Sequence, residues 1–408
     1  MLLVSLIVVV TLIPRPPISL STPSVSLPAA DYSLVSEADE RGAGEAAVAS
    51  PPATFPAATG VGASQAPSGT PVAATPPPIR SAGTPAALAI DPDTPPNELG
   101  RIPVIMYHAF TTNPKYLDEW TLTLDQFREQ LDWYREHDFV MVGVQSMIDG
   151  RFDVPAGKKP IILTFDDASM GQFGLQKAPD GGWAVKPNTA VAVLEEYRAK
   201  YPEFAGPAFF GILSWNCFAS DDDPSTCEER LNWLVDNGYE VGNHTWDHVD
   251  MTDVADEFFT NSIASMIDWI NERIPEGPGN LSHVVVMPFG AFPDPDLHPD
   301  QRAWLAEGFW YQGEPVNLHL VFAVSGGPAI SPFSQLYDPM ETYRIASFPD
   351  ILGSWQEAMT SGESQVFVSD GDPEVVTVPA SMEQYVNVDA LASRGLELRV
   401  YEEARGDG

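Results

Sequence analysis

Ile161-Ile162-Leu163-Thr164-Phe165-Asp166-Asp167 is an apolar run that ends in two adjacent carboxylates. An uninterrupted apolar segment of this length reads as a buried strand, so the carboxylates fall at its C-terminal tip. Further along, His244-Thr245-Trp246-Asp247-His248 follows another short apolar segment, Tyr239 to Val241, and supplies two imidazoles four residues apart. One carboxylate, two imidazoles and a neighbouring free carboxylate are the components of a hydrolytic metal site. Such a site needs three protein ligands, an open position for water, and a base to take that water's proton.

The rest of the chain gives these tips a setting. Ile102 to His108 reads as a strand with a polar end, and Leu124, Phe127, Leu131 and Tyr134 recur at helical spacing over about 124–137. A strand is expected near Val140, a helix capped by Asn188 and running to Lys200, and a buried strand over 207–213. Ser225-Thr226-Cys227-Glu228 reads as a capping box opening a helix that Gly238 closes. A longer helix is expected from Thr252 to Ile274, and strands at 283–287, 318–324 and 343–347. Strands alternating with helices predict an α/β fold with a mostly parallel sheet. The chemically distinctive residues sit at or just past strand C-termini, where a (β/α) barrel assembles its site from separate loops. From Gln365 onward short β-like runs predict a small β appendage on the barrel.

Residues 14–98 are dominated by Pro, Ala, Ser, Thr and Gly and show no apolar period, which predicts a disordered tether. Before it, residues 1–13 are a short apolar run, signal-like or an anchor, which points to export and to association with a membrane or cell wall. The catalytic domain is then expected over 99–360 and the β extension over 361–408. A formal net charge of −36 argues against nucleic acid or an anionic membrane surface as a partner. Cys217 and Cys227 are the two cysteines. In an exported protein a disulfide between them is expected. Trp215, just past the 207–213 strand, is a candidate to stack on a sugar ring.

Thr164 to Asp167 with His244 to His248 resembles the first two motifs of the polysaccharide deacetylase family, the NodB-homology carbohydrate esterases of family 4. Val286-Met287-Pro288-Phe289-Gly290 resembles the third. Pro103 to His108 resembles the opening signature of members that deacetylate poly-N-acetylglucosamine. The resemblance spans roughly 101–350 and implies a distorted (β/α)7-type barrel, the NodB-homology fold. It also implies Asp167, His244 and His248 as metal ligands, Asp166 as general base, and Pro288, Phe289 and Gly290 at the substrate, with the Phe289 amide on the oxyanion. Many members carry their acid in a C-terminal Leu-x-x-His motif, but this chain has no histidine after His319, which points to His108 instead. The third motif commonly begins with an Arg that pairs with the catalytic Asp; here that place is Met287, and Arg344 is the candidate replacement.

The expected activity is metal-dependent removal of N-acetyl groups from an extracellular N-acetylglucosamine polymer, by a monomeric secreted or cell-surface enzyme. Zinc is the expected ion, with cobalt, nickel or manganese as alternatives. Competing readings are an O-acetyl xylan esterase, a hydrolase of small cyclic amides, and a glycan-binding protein that has lost turnover.

Overall fold

A computed structural model describes residues 90, 91, 93–219 and 224–403. The apolar leader, most of the expected tether and the acidic run Asp221 to Asp223 lie outside the described residues.

Seven parallel strands close into a barrel. In order around it they are Val104–Tyr107, Thr342–Ala346, Leu320–Gly326, Asn280–Val286, Glu240–Asn243, Phe209–Ile212 and Lys159–Phe165. The last pairs back with the first, in register from Val104 opposite Ile162 to Tyr107 opposite Phe165. An eighth strand, Phe139–Met141, adds to the N-terminal half of Lys159–Phe165.

Alternation along Lys159–Phe165 sorts the two faces. Ile161, Leu163 and Phe165 pack outward into the layer under the helices. Ile162 packs inward with Val104, Phe209, Val284, Val286, Leu320 and Phe322. The same period carries Thr164 and then Asp166 to the inside, both fully buried.

Helices Leu124–Glu136, Ala190–Lys200, Cys227–Asp236, Asp256–Asn271 and Pro349–Ser361 belong to the outer layer. Three boundaries differ from the sequence expectation. Thr189, not Asn188, caps the helix Ala190–Lys200, because Asn188 is in left-handed backbone (φ 68) and cannot present its side chain to the first turn. The capping box at Cys227 is Thr226 with Glu229, one residue on from Ser225 and Glu228, while Ser225 accepts from Arg230. The helix expected from Thr252 begins at Asp256, since Asp250 and Asp294 hold the Thr252 backbone in a turn.

The C-terminal part is a βαβ unit rather than β alone. Val375–Pro379 and Glu397–Tyr401 pair in parallel with helix Val388–Arg394 between them. Val376, Val378, Leu391 and Leu396 join the inward barrel cluster, so this unit stoppers the end opposite the strand tips. Asn97 and Glu98, assigned to the tether by composition, are built into the same end. Asn97 bridges to Val368, and the buried Glu98 carboxylate accepts from the Asp370 and Thr377 amides (3.2 and 3.0 Å).

Candidate active site

Four of the expected residues reach one place because their strands end there. Asp166 and Asp167 follow Lys159–Phe165, and His244 follows Glu240–Asn243, with His248 one turn of loop later. Asp167 Oδ1 lies 3.2 Å from His244 Nε2 and 3.3 Å from His248 Nε2. Ligands about 2.0–2.1 Å from a tetrahedral ion stand about 3.3–3.4 Å apart, so the two separations from Asp167 are those of coordination-shell edges, and all three ligand atoms lie within 4.8 Å of one another. The trio is the one group of this kind among the described residues.

Hydrogen bonding argues the same way. Asp167 Oδ1 is buried and makes no hydrogen bond. His244 Nδ1 lies 2.9 Å from the Val286 carbonyl, which can only accept, so that nitrogen carries the proton and the Nε2 lone pair faces Asp167. Lone pairs converging in a buried site require a cation. Burial works against a charge on His244, but Asp167 raises its pKa above the usual value. Burial would likewise raise Asp167, yet the two imidazoles hold it well below the carboxylate range. The donor set fits a divalent ion of the zinc type.

Beside this trio, Asp166 is held by Arg344 in a two-pronged ion pair. Arg344 Nη1 donates to Oδ1 (2.8 Å) and Nη2 to Oδ2 (2.9 Å). The guanidinium also donates to Thr164 Oγ1 (3.0 Å) and to the Ala323 carbonyl (2.7 Å), which ties three strands together. Both residues are buried. Burial alone would raise the Asp166 carboxyl; the Arg344 charge, the His244 charge and the Arg344 hydrogen bonds together outweigh it and hold Asp166 below its usual value. Met287 meanwhile packs outward against Phe259, Ile263 and Leu305, so the cation beside Asp166 comes from the Thr342–Ala346 strand.

His108 Nε2 stands 3.8 Å from Asp166 Oδ2. Its ring meets Trp120 edge-on at 4.6 Å, and Trp120 in turn packs on Phe348. Burial lowers the His108 pKa, against the upward pull of Asp166 and Asp167. A lowered imidazolium pKa makes the protonated form a stronger acid.

Backbone strain is concentrated here. Asp167, Ala168, Thr245, His248 and Phe289 all adopt left-handed backbone, with φ of 72, 50, 64, 49 and 58°. Each such residue costs about 1–3 kcal/mol and persists only where its surroundings fix it. Asn216 donates to the Asp167 carbonyl (2.8 Å), Phe218 to that of Ala168 (2.6 Å), and the Thr245 amide donates to Asn243 (2.7 Å).

At the rim, Phe289 is 65% exposed and its ring meets His248 at 4.8 Å. Pro288 is buried, and Gly290 (φ 67) sits so close to Val324 that a Cβ would come within 2.9 Å of its side chain. Trp215, 65% exposed, lies past the tip of Phe209–Ile212 on the same end of the barrel. Cys217 and Cys227 are joined in a disulfide that ties this loop to the start of the next helix. Trp120 and Asn216 had no sequence signal marking them, since their roles depend on neighbours distant in the chain.

Residues 153–298 match the family model for polysaccharide deacetylases, a segment that contains Asp166, Asp167, His244, His248 and Phe289 but neither His108 nor Arg344. No curated protein matches the chain. Among solved structures it is similar to the Streptococcus pyogenes deacetylase PplD in complex with acetate, at 17% identity, covering 64% of this chain and 97% of that one, with a TM-score of 0.46. It is also similar to a polysaccharide deacetylase from Bacillus cereus, at 16% identity over 63% and 69% of the two chains, TM-score 0.43. A third similar structure is the chitin deacetylase of the fungal pathogen Colletotrichum lindemuthianum, at 14% identity over 62% and 91%, TM-score 0.28. The motif residues Asp166, Asp167, His244 and His248, gathered at the tips of a closed parallel barrel, thus fall within the segment that matches the polysaccharide deacetylase family.

Proposed function

We propose that this protein is a metal-dependent hydrolase that removes N-acetyl groups from an extracellular glycan containing N-acetylglucosamine, releasing acetate. The observation that carries the reading is the buried, ionised Asp166, clamped by Arg344 and facing His108 at 3.8 Å beside the Asp167–His244–His248 trio. Export is part of the proposal. A disulfide between Cys217 and Cys227 supports an oxidising compartment.

Asp167, His244 and His248 would hold a divalent ion, zinc by preference, which supplies Lewis acidity and makes water acidic near neutral pH. Asp166 accepts the proton of the attacking water. It remains basic because it is not one of the three ligands, and it remains oriented because Arg344 grips both oxygens. The amide of Phe289, at the strained turn on the rim, is the proposed donor to the developing oxyanion. His108 delivers a proton to the departing nitrogen, and Trp120 keeps water from that side of the ring. Trp215 offers an exposed indole face on which a sugar ring can stack.

The test is acetate release from an N-acetylglucosamine oligomer by the full-length protein, with zinc or cobalt, with chelator, and with Asp166→Asn. Release that requires both the metal and Asp166, and that leaves a free amine, is the expected result. Release from an O-acetylated xylan, leaving a free hydroxyl, with none from the N-acetylglucosamine oligomer would move the substrate to an O-acetyl ester. Full metal loading without any release would favour a glycan-binding role.

A further inference from the structure

The strands Val104–Tyr107 and Lys159–Phe165 carry the acid and the base, and their ladder stops just short of both. Its last bond runs from the Asp166 amide to the Tyr107 carbonyl (2.9 Å). Beyond it the two chains part. His108 leads into a new short strand, Ala109–Thr111, while Asp167 turns into left-handed backbone. One side chain takes over where the ladder ends: Gln172 Nε2 donates to the carbonyl of His108 (2.6 Å) and to that of Asp166. A carboxamide has two N–H bonds, one for each carbonyl, and its oxygen end can serve neither, which fixes the orientation.

Gln172 is itself held firmly. It is fully buried. Its amide donates to the Ser169 carbonyl (3.0 Å), and its carbonyl accepts from Val191 (2.9 Å) in the first turn of helix Ala190–Lys200. The Gly171 carbonyl accepts from Ala190 in the same way, and a Cβ on Gly171 would lie 2.2 Å from the Phe110 carbonyl oxygen. The turn is therefore pressed onto the chain leaving His108 and anchored to a helix on its other side. The long loop from Ala168 to Asn188 is pinned at this end.

We infer that Gln172 is a positioning residue for the deacetylation: one amide braces the backbone of the base Asp166 against that of the acid His108. The inference rests on the function proposed above, because acid and base are roles within that reaction. His108 and Asp166 share no strand, so their separation of 3.8 Å is set by whatever joins their backbones. Losing an outer partner of this sort commonly costs about 10- to 100-fold in activity.

Gln172→Met keeps the length and apolar body of the side chain and removes both donors. Thr377→Val is the control for lost stability, since it removes a buried hydrogen bond to Asp370 at the opposite end of the barrel. The readouts are kcat and KM for acetate release, and the ring nitrogen signal of His108 in protein carrying 15N-histidine. Gln172→Met is expected to lower kcat about 10- to 100-fold with KM nearly unchanged and to move the His108 signal; Thr377→Val should do neither. Gln172→Asn keeps the amide but falls one methylene short, so an intermediate kcat is expected, and this variant serves if Gln172→Met does not fold. Wild-type kcat in the Gln172 variants, or a loss no larger than that of Thr377→Val with the His108 signal in place, would overturn the inference. If the wild type itself releases no acetate, the proposed function fails, and the His108 signal alone decides whether Gln172 braces the pair.

Discussion

Arg344 and Asp166 place a complete ion pair inside the barrel, and its two charges do different work. Asp166 needs Arg344 to stay ionised against burial; Arg344 needs Asp166, Thr164 and Ala323 to occupy its donors. Arg344→Met leaves a buried carboxylate without its cation and should destabilise the fold by about 3–5 kcal/mol, read from urea denaturation. Adding Asp166→Asn removes the stranded charge, so the double variant should regain part of that loss. Simple additivity of the two single variants would contradict this account. Arg344→Lys keeps the charge but not the planar fork, and should lower kcat by at least about tenfold while metal content is unchanged. Asp166, Asp167, His244 and His248 were legible because carboxylates and imidazoles at the end of apolar runs have little structural reason to be there. Arg344 was visible as a cation in an otherwise apolar strand. Its pairing with Asp166 was expected only through the family resemblance, because a contact spanning 178 residues of chain leaves no local pattern.

Among the elements, the loop and helix beyond the Phe209–Ile212 strand show how the rim is stiffened. Cys217 and Phe218 both take left-handed backbone (φ 42 and 59°) just after Trp215, and the disulfide crosses from there to the first residue of helix Cys227–Asp236. Replacing both cysteines by serine should cost about 3 kcal/mol, the loop-closure value for a cross-link spanning 10 residues. Thr226→Ala opens the capping box at the same helix and should cost about 1 kcal/mol. Equilibrium unfolding of the two variants, separately and together, checks both figures. Apolar periodicity located the barrel strands and the outer helices but not their exact ends. The spacing pointed to Ser225 with Glu228 as the capping box. Arg230, by engaging Ser225, leaves Thr226 as the cap.

For the molecule as a whole, buried acids give stability a distinct pH dependence. Burial pushes Glu240 up to about 7, although its carboxylate accepts from the Val144 and Gln145 amides. Burial, reinforced by Asp370, also raises Glu98. A raised carboxyl pKa means that the folded state binds its proton more tightly, so this stability is full below the ordinary value of 4.5 and is lost as pH rises through about 7. Asp166 and Asp167 are shifted the other way, below 3.8, so their contribution is present above that value and lost as pH falls further. The melting temperature should therefore peak at about pH 4, fall below that, and fall again between about 4.5 and 7 before levelling, and Glu240→Gln should flatten the alkaline limb. A scan showing Tm still rising from pH 6 to 8 would contradict this. Zinc should raise Tm as well, by the equivalent of about 2.7 kcal/mol at a hundred times its Kd, and His244→Ala should abolish that rise.

The sequence by itself determined the parallel α/β architecture, the strand tips as the location of chemistry, and the two carboxylates and two imidazoles gathered there. Those follow from short-range patterns: apolar runs, their alternation with helices, and reactive side chains at the run ends. Only the tertiary structure decided that Arg344 pairs with Asp166, that Gln172 spans the carbonyls of His108 and Asp166, and that the C-terminal βαβ unit seals the far end of the barrel. The physical reason is closure. When the first strand pairs with the third and the last, residues far apart in the chain become neighbours inside a volume without water, where each buried charge or carbonyl must find a partner.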